Sequence, residues 1–119
     1  MNISVPEDYL PPEICNLLYD LGLTPNYTGF FHTAYAAYLA LQSPQRLRLV
    51  TKWLYPEVAE HYQTTPSAVE RNIRLAVSHI WDRNPKLLCS ISSVPLISKP
   101  SSSKFIAILY SYMSHVSSL

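Results

Sequence analysis

Glycine is nearly absent from this chain. Its 119 residues hold two, Gly22 and Gly29, against ten prolines. There is no glycine-rich phosphate loop and no Gly-x-Ser-x-Gly nucleophile turn. The imbalance points to helices stopped by prolines rather than to flexible linkers. Cysteine is equally scarce: Cys15 and Cys89 stand far apart, with no paired Cys/His spacing for zinc. Both thiols read as buried and reduced. His32, His61, His79 and His115 are scattered, and the proximity of His61 to Glu57 and Glu60 reads as an ordinary surface helix. No catalytic residue is assigned, and no metal, cofactor or small-molecule substrate is implied. Long apolar runs and a signal peptide are also missing, so a cytoplasmic location without membrane contact is expected. An Asn26-Tyr27-Thr28 glycosylation pattern means nothing without secretion.

A chain of 119 residues can bury one core and hardly two. The net charge is only +1, modest for a nucleic-acid binder, but its distribution is uneven. Residues 1–40 hold four acids (Glu7, Asp8, Glu13, Asp20) and no Lys or Arg. The remaining residues hold all nine Lys and Arg against four acids, a local net of +5. A basic half beside an acidic half fits phosphate contact by one face.

The apolar spacing predicts short helices and no sheet, hence an all-α bundle of about five or six helices. Residues 1–12 read as a loose N-terminal arm, and residues 13–119 as the domain. Ile14, Leu17, Leu18 and Leu21 recur at helical intervals until Gly22 ends the run. A second helix covers Phe30 to Leu41, with a core face of Phe31, Ala34, Tyr35, Tyr38 and Leu41. A third begins after Ser43 and Pro44, carries Leu47, Val50 and Leu54 inward, and must kink or break at Pro56. Pro85 to Ser90 reads as a short turn, and Ser92 to Ser103 as a Ser/Pro-rich loop. Phe105, Ile106, Leu109 and Met113 mark a last amphipathic helix. The nine tyrosines fall mostly within the apolar stripes, so they are assigned to packing rather than to base stacking.

The segment at about 56–83 carries the functional signal. Val58, Ala59 and Tyr62 form a short apolar-periodic stretch, broken at Gln63, Thr64 and Thr65. A longer helix follows from Pro66, a residue suited to the first helical position, with Thr65 as its cap. Ser67 with Glu70 offers a competing capping box. Val69, Ile73, Ala76, Val77 and Ile80 form one buried stripe. Ser67, Ala68, Glu70, Arg71, Arg74, Leu75 and Ser78 fall on the other side. This is the pattern of a helix-turn-helix, whose second helix can enter the DNA major groove. Arg can bond guanine in bidentate fashion and Glu can accept from cytosine. The same pattern also occurs in helical proteins that bind no DNA, where such a face is merely solvated.

The chain resembles the C-terminal DNA-binding effector domain of the sporulation initiation response regulator (stage zero, type A). The likeness rests on Leu54-Tyr55-Pro56, Val58-Ala59, Thr64-Thr65, Val69-Glu70-Arg71, Ile73-Arg74, Ala76 and Trp81. It extends to Leu21-Gly22-Leu23-Thr24-Pro25 and Thr28-Gly29-Phe30 upstream, and to Lys99-Pro100-Ser101, Ser103 and Phe105-Ile106-Ala107 downstream. It runs from about Ile14 to Met113. The resemblance implies an effector domain acting in sporulation transcription control, on a promoter box of the TGTCGAA type, bound by paired or tandem domains. The family's regulators carry a phosphoacceptor receiver ahead of this domain. The sequence given has no room for one, so a free-standing effector or a fragment is expected.

Two departures fall on the presumed DNA face. Ala68 stands where the family usually has Arg, and Leu75 where it has His. Lys104 stands where the family tends to have Glu. The expected base readers are therefore Glu70, Arg71, Arg74 and Leu75, the last through a thymine methyl. Ser67, Arg46, Lys52, Lys86, Lys99 and Lys104 are the expected backbone contacts. The rival reading is a protein-interaction module that modulates a full-length regulator and binds little DNA itself. Its contact surface would be Phe105, Ile106, Leu109 and Met113, or a patch around Leu75.

Overall fold

The computed structural model describes residues 10–117. Among them the chain forms helices and no strand, in the order α1 (Pro12–Asp20), α2 (Thr28–Gln42), a 3-10 turn (Pro44–Arg48), α3 (Val50–Trp53), α4 (Tyr55–His61), α5 (Pro66–Arg83), α6 (Pro85–Ile91) and α7 (Ser102–Ser117). This is the all-α bundle that the apolar spacing predicts. Residues 1–9 of the expected N-terminal arm lie outside the described residues. The rest of it is not loose: Leu10 is buried against the core and Pro12 opens α1.

The helix ends follow from local chemistry. At the end of α1, the Gly22 N–H bonds the Tyr19 carbonyl and the Leu23 N–H bonds the Leu18 carbonyl, both at 2.9 Å. This crossed pair closes the last turn and needs a left-handed residue, here Gly22 at φ 94°. Leu18 and Leu23 are both fully buried beside it. The same closure ends α4: the Gln63 N–H reaches the Glu60 carbonyl and the Thr64 N–H reaches the Ala59 carbonyl. There the left-handed position is held by Gln63, at φ 55°.

Helix α2 is the centre of the molecule and packs against α1, α4, α5, α7 and the 3-10 turn. Its fully buried residues are Gly29, Phe30, His32, Thr33, Ala34, Ala36, Ala37, Leu39 and Ala40. This corrects the expected core face, of which only Ala34 is fully buried. Phe31, Tyr35, Tyr38 and Leu41 pack half-buried at the margin. A helix surrounded on several sides has no single wet face, so its small residues take the tight positions. Gly29 marks the closest approach: a Cβ there would lie 2.4 Å from the Asn72 carbonyl oxygen of α5.

Three further expectations change. The stretch after Ser43 is a 3-10 turn and the short helix α3 rather than one helix, and the expected break at Pro56 is found, with Pro56 in the first turn of α4. Pro85–Ile91 is a short helix, not a turn, with Leu88 buried. Phe105, Ile106, Leu109 and Met113 are buried in the chain's own core, so they cannot serve as a partner surface. Of the two thiols, Cys15 is half-buried and Cys89 is exposed, and both are free.

Candidate nucleic-acid interface

Helices α4 and α5 are joined by Tyr62 to Thr65, giving the two helices and tight turn of a helix-turn-helix. Thr65 Oγ1 accepts the Ala68 N–H at 3.1 Å, so Thr65 is the cap of α5 and the competing Ser67 box is not used. The buried residues of α5 are Val69, Ile73, Ala76, Val77 and Ile80, the stripe given by the spacing. The opposite side is therefore turned away from the core.

Arg71 lies on that side and is exposed. Among the described residues it has no hydrogen-bond or ion-pair partner. Arg71 lines a cleft of about 500 Å³ with Ser67, Glu70 and Arg74 from α5, and Thr51 and Tyr55 from α3 and α4. Four of the expected contact residues thus meet in one place. Glu70 is not free: its Oε2 accepts from Ser102 Oγ at 2.9 Å and from Arg74 Nε at 3.4 Å. Burial, and secondarily the Glu70 carboxylate, push the Tyr55 phenol up to about 12, so it stays protonated in the cleft wall.

Leu75 lies elsewhere. It is 52% exposed and borders a second cleft, of about 360 Å³, with Tyr27, Asn72 and His79. His79 Nε2 bonds the Gly22 carbonyl at 3.1 Å, and its ring lies against Tyr27 at 4.5 Å. Ala68 and Asn72 precede Leu75 on this flank at helical spacing, and Ala68 is half-buried.

The expected backbone contacts separate into two groups. Lys99 reaches α5, with its Nζ donating to Ser78 Oγ at 2.8 Å. Lys52, Lys86 and Lys104 are exposed on α3, α6 and α7. Arg46 differs: its guanidinium holds both Glu57 oxygens and the Leu39 carbonyl. Sequence reasoning missed Thr51 and Ser102. Ser102 is 4% exposed and lies 32 positions from Glu70, so no local pattern could have paired them.

No helix among the described residues is long and apolar enough to cross a membrane. Residues 14–113 match the family described as sporulation initiation factor Spo0A C terminal. With that match over most of its length, and with a helix-turn-helix whose second helix turns its arginines outward, the chain belongs to the Spo0A C-terminal family, the DNA-binding effector domains of sporulation regulators.

Proposed function

We propose that this chain binds double-stranded DNA in a sequence-selective way, with α5 lying in the major groove, and acts in transcription control. One observation carries the reading: Arg71 projects from the outward side of α5 with its guanidinium unengaged. An unengaged guanidinium on the second helix of a helix-turn-helix is free to meet a base edge or a phosphate. Arg71 reads a guanine, and Arg74 a second guanine or a phosphate. Glu70 accepts from cytosine or fixes Arg74. Ser67 bonds a phosphate at the helix N-terminus, where the helix dipole helps. Lys52, Lys86, Lys99 and Lys104 supply phosphate contacts. Arg46 is left out of this set, because its donors are spent within the fold. The target is a promoter box of the TGTCGAA type, engaged by paired or tandem copies. No cofactor takes part.

The test is binding-site selection from random duplexes at two salt concentrations. Arg71→Ala should relax preference at its base and cost about 1–3 kcal/mol of specific binding. Lys99→Ala should weaken binding evenly across sequences and lower the salt slope by about one. An unchanged selection with Arg71→Ala sinks the groove placement. A natural chain that binds no duplex even at low salt gives the lead to the protein-interaction reading, whose surface would then be the exposed Leu75 and Tyr27.

A further inference from the structure

Glu70 is the junction of three elements. Its Oε2 accepts from Ser102 Oγ at the start of α7 and from Arg74 Nε one turn along α5. The same Ser102 hydroxyl lies 3.3 Å from the Glu70 backbone carbonyl. Tyr55, almost wholly buried, closes the cleft beside this carboxylate. A glutamate on an exposed helix face would ordinarily sample several rotamers. Here one of its oxygens is tied to a buried hydroxyl, and that hydroxyl belongs to a different helix.

The hydroxyl is not needed to start α7. That task belongs to Ser101, whose Oγ accepts the Lys104 N–H at 3.2 Å. Ser102 follows as the first helical residue, and its side chain turns away from its own helix toward Glu70. We infer that Ser102 is a positioning residue for sequence readout: through Glu70 it fixes the orientation of Arg74 toward the groove. The inference rests on the DNA reading proposed above. It assigns the selectivity at one part of the site to a side chain that touches no base.

The geometry separates this path from Arg71. Arg71 has no contact with Glu70 or Ser102 among the hydrogen bonds and ion pairs of the described residues. Loss of the Ser102 hydroxyl should therefore alter the base positions governed by Glu70 and Arg74, and leave the position governed by Arg71 alone. It should also leave affinity for random duplex unchanged, because no charge is lost.

The experiment is selection from random duplexes with the full 119-residue chain as the natural protein, Ser102→Ala, Ser102→Thr, Ser101→Ala, Arg74→Ala, Glu70→Gln and the Ser102→Ala/Glu70→Gln pair. Ser102→Ala is expected to lower discrimination by about three- to tenfold at the positions that Glu70→Gln also affects, a fraction of what a whole bidentate contact supplies. Ser102→Thr keeps the hydroxyl and should restore discrimination. Ser101→Ala should lower thermal stability without changing selection. The paired variant should select no worse than Glu70→Gln alone, since both act through one carboxylate. Independent, additive losses, or a Ser102→Ala profile that is weakened evenly at every position, overturn the inference. So does Ser102→Ala with natural selection intact. If Ser102→Ala fails to fold, the Thr variant and the Glu70→Gln profile decide: a Glu70→Gln loss confined to positions other than those of Arg74→Ala overturns it. A natural chain that selects no sequence defeats the DNA reading itself, a result distinct from each of these.

Discussion

Arg46 grips Glu57 with two parallel hydrogen bonds, Nε to Oε1 at 3.0 Å and Nη2 to Oε2 at 3.1 Å. Its third contact, Nη1 to the Leu39 carbonyl at 2.9 Å, ties the same guanidinium to the last turns of α2. One side chain therefore joins α2, the 3-10 turn and α4, and through α4 it supports the turn that precedes α5. A bidentate Arg–carboxylate pair is stronger than a single surface contact, but this one is partly open to water, which screens it. Arg46→Ala should lower stability by about 1–2 kcal/mol, as read by urea denaturation. The salt slope of DNA binding should stay at its natural value. A slope reduced by about one would place Arg46 among the phosphate contacts after all.

Gln63 occupies a backbone position that favours glycine. Its φ of 55° is required by the crossed hydrogen bonds that close α4, and a side chain there meets its own backbone. Gln63→Gly removes that strain but adds freedom to the unfolded chain. The net expectation is a gain of about 0.5–1 kcal/mol, seen as a higher urea midpoint with an unchanged slope. Gln63→Ala keeps the strain and should bring no gain. Equal stability of the Gly and Ala variants would show that the strain is no larger than the entropy cost of glycine in the unfolded chain, and a less stable Gly variant would show that the turn carries no strain.

Helix α5 was legible from end to end, because Thr65-Pro66 states its start and a regular stripe faces one core. The turn before it was legible as a break, since Gln63, Thr64 and Thr65 interrupt the apolar pattern. Helix α2 was legible as a helix but not in its orientation. Phe31, Tyr35 and Tyr38 are large and evenly spaced, yet the innermost positions went to glycine and alanines, which let neighbouring helices approach. The outward side of α5 was legible as a face, whereas its partners were not. Ser102 and Thr51 reach it from distant parts of the chain, and nothing in their own surroundings announces this.

His32 gives the fold a pH dependence. It is buried between α2 and α5, its Nδ1 lies 3.4 Å from the Asn72 side-chain nitrogen, and its ring lies 5.3 Å from that of Tyr62. With the amide as donor, the ring is neutral and carries its proton on Nε2. Burial holds its pKa below the ordinary 6.5. The unfolded chain therefore binds this proton first as the pH falls. The stability it contributes is fully present above pH 6.5, begins to be lost below it, and is gone once the pH passes below the depressed folded value. Urea denaturation from pH 8 to pH 5 should follow this course, and His32→Gln should flatten it near the acid end. A natural protein equally stable at both ends would mean that the ring is solvated when charged.

The Ala68 and Leu75 positions test whether this flank of α5 meets the groove. Both lie on the side that carries Asn72 and His79, away from the cleft of Glu70 and Arg74. Leu75 is well exposed and Ala68 half-buried, so each can accept a longer polar side chain at its outer edge. Ala68→Arg with Leu75→His restores the family's residues. If the flank faces bases, the double variant should tighten binding to a TGTCGAA-type box by about 1–3 kcal/mol and bind random duplex only slightly better. Added positive charge alone would strengthen both through phosphate attraction. Ala68→Lys with Leu75→Lys provides that comparison: it should raise affinity for box and random duplex together and steepen the salt dependence. Equal behaviour of the two double variants would reduce the flank to an electrostatic contact. Box binding left unchanged by Arg and His would mean that the flank does not face the groove, and the exposed Leu75 beside Tyr27 would then be a contact for something other than DNA.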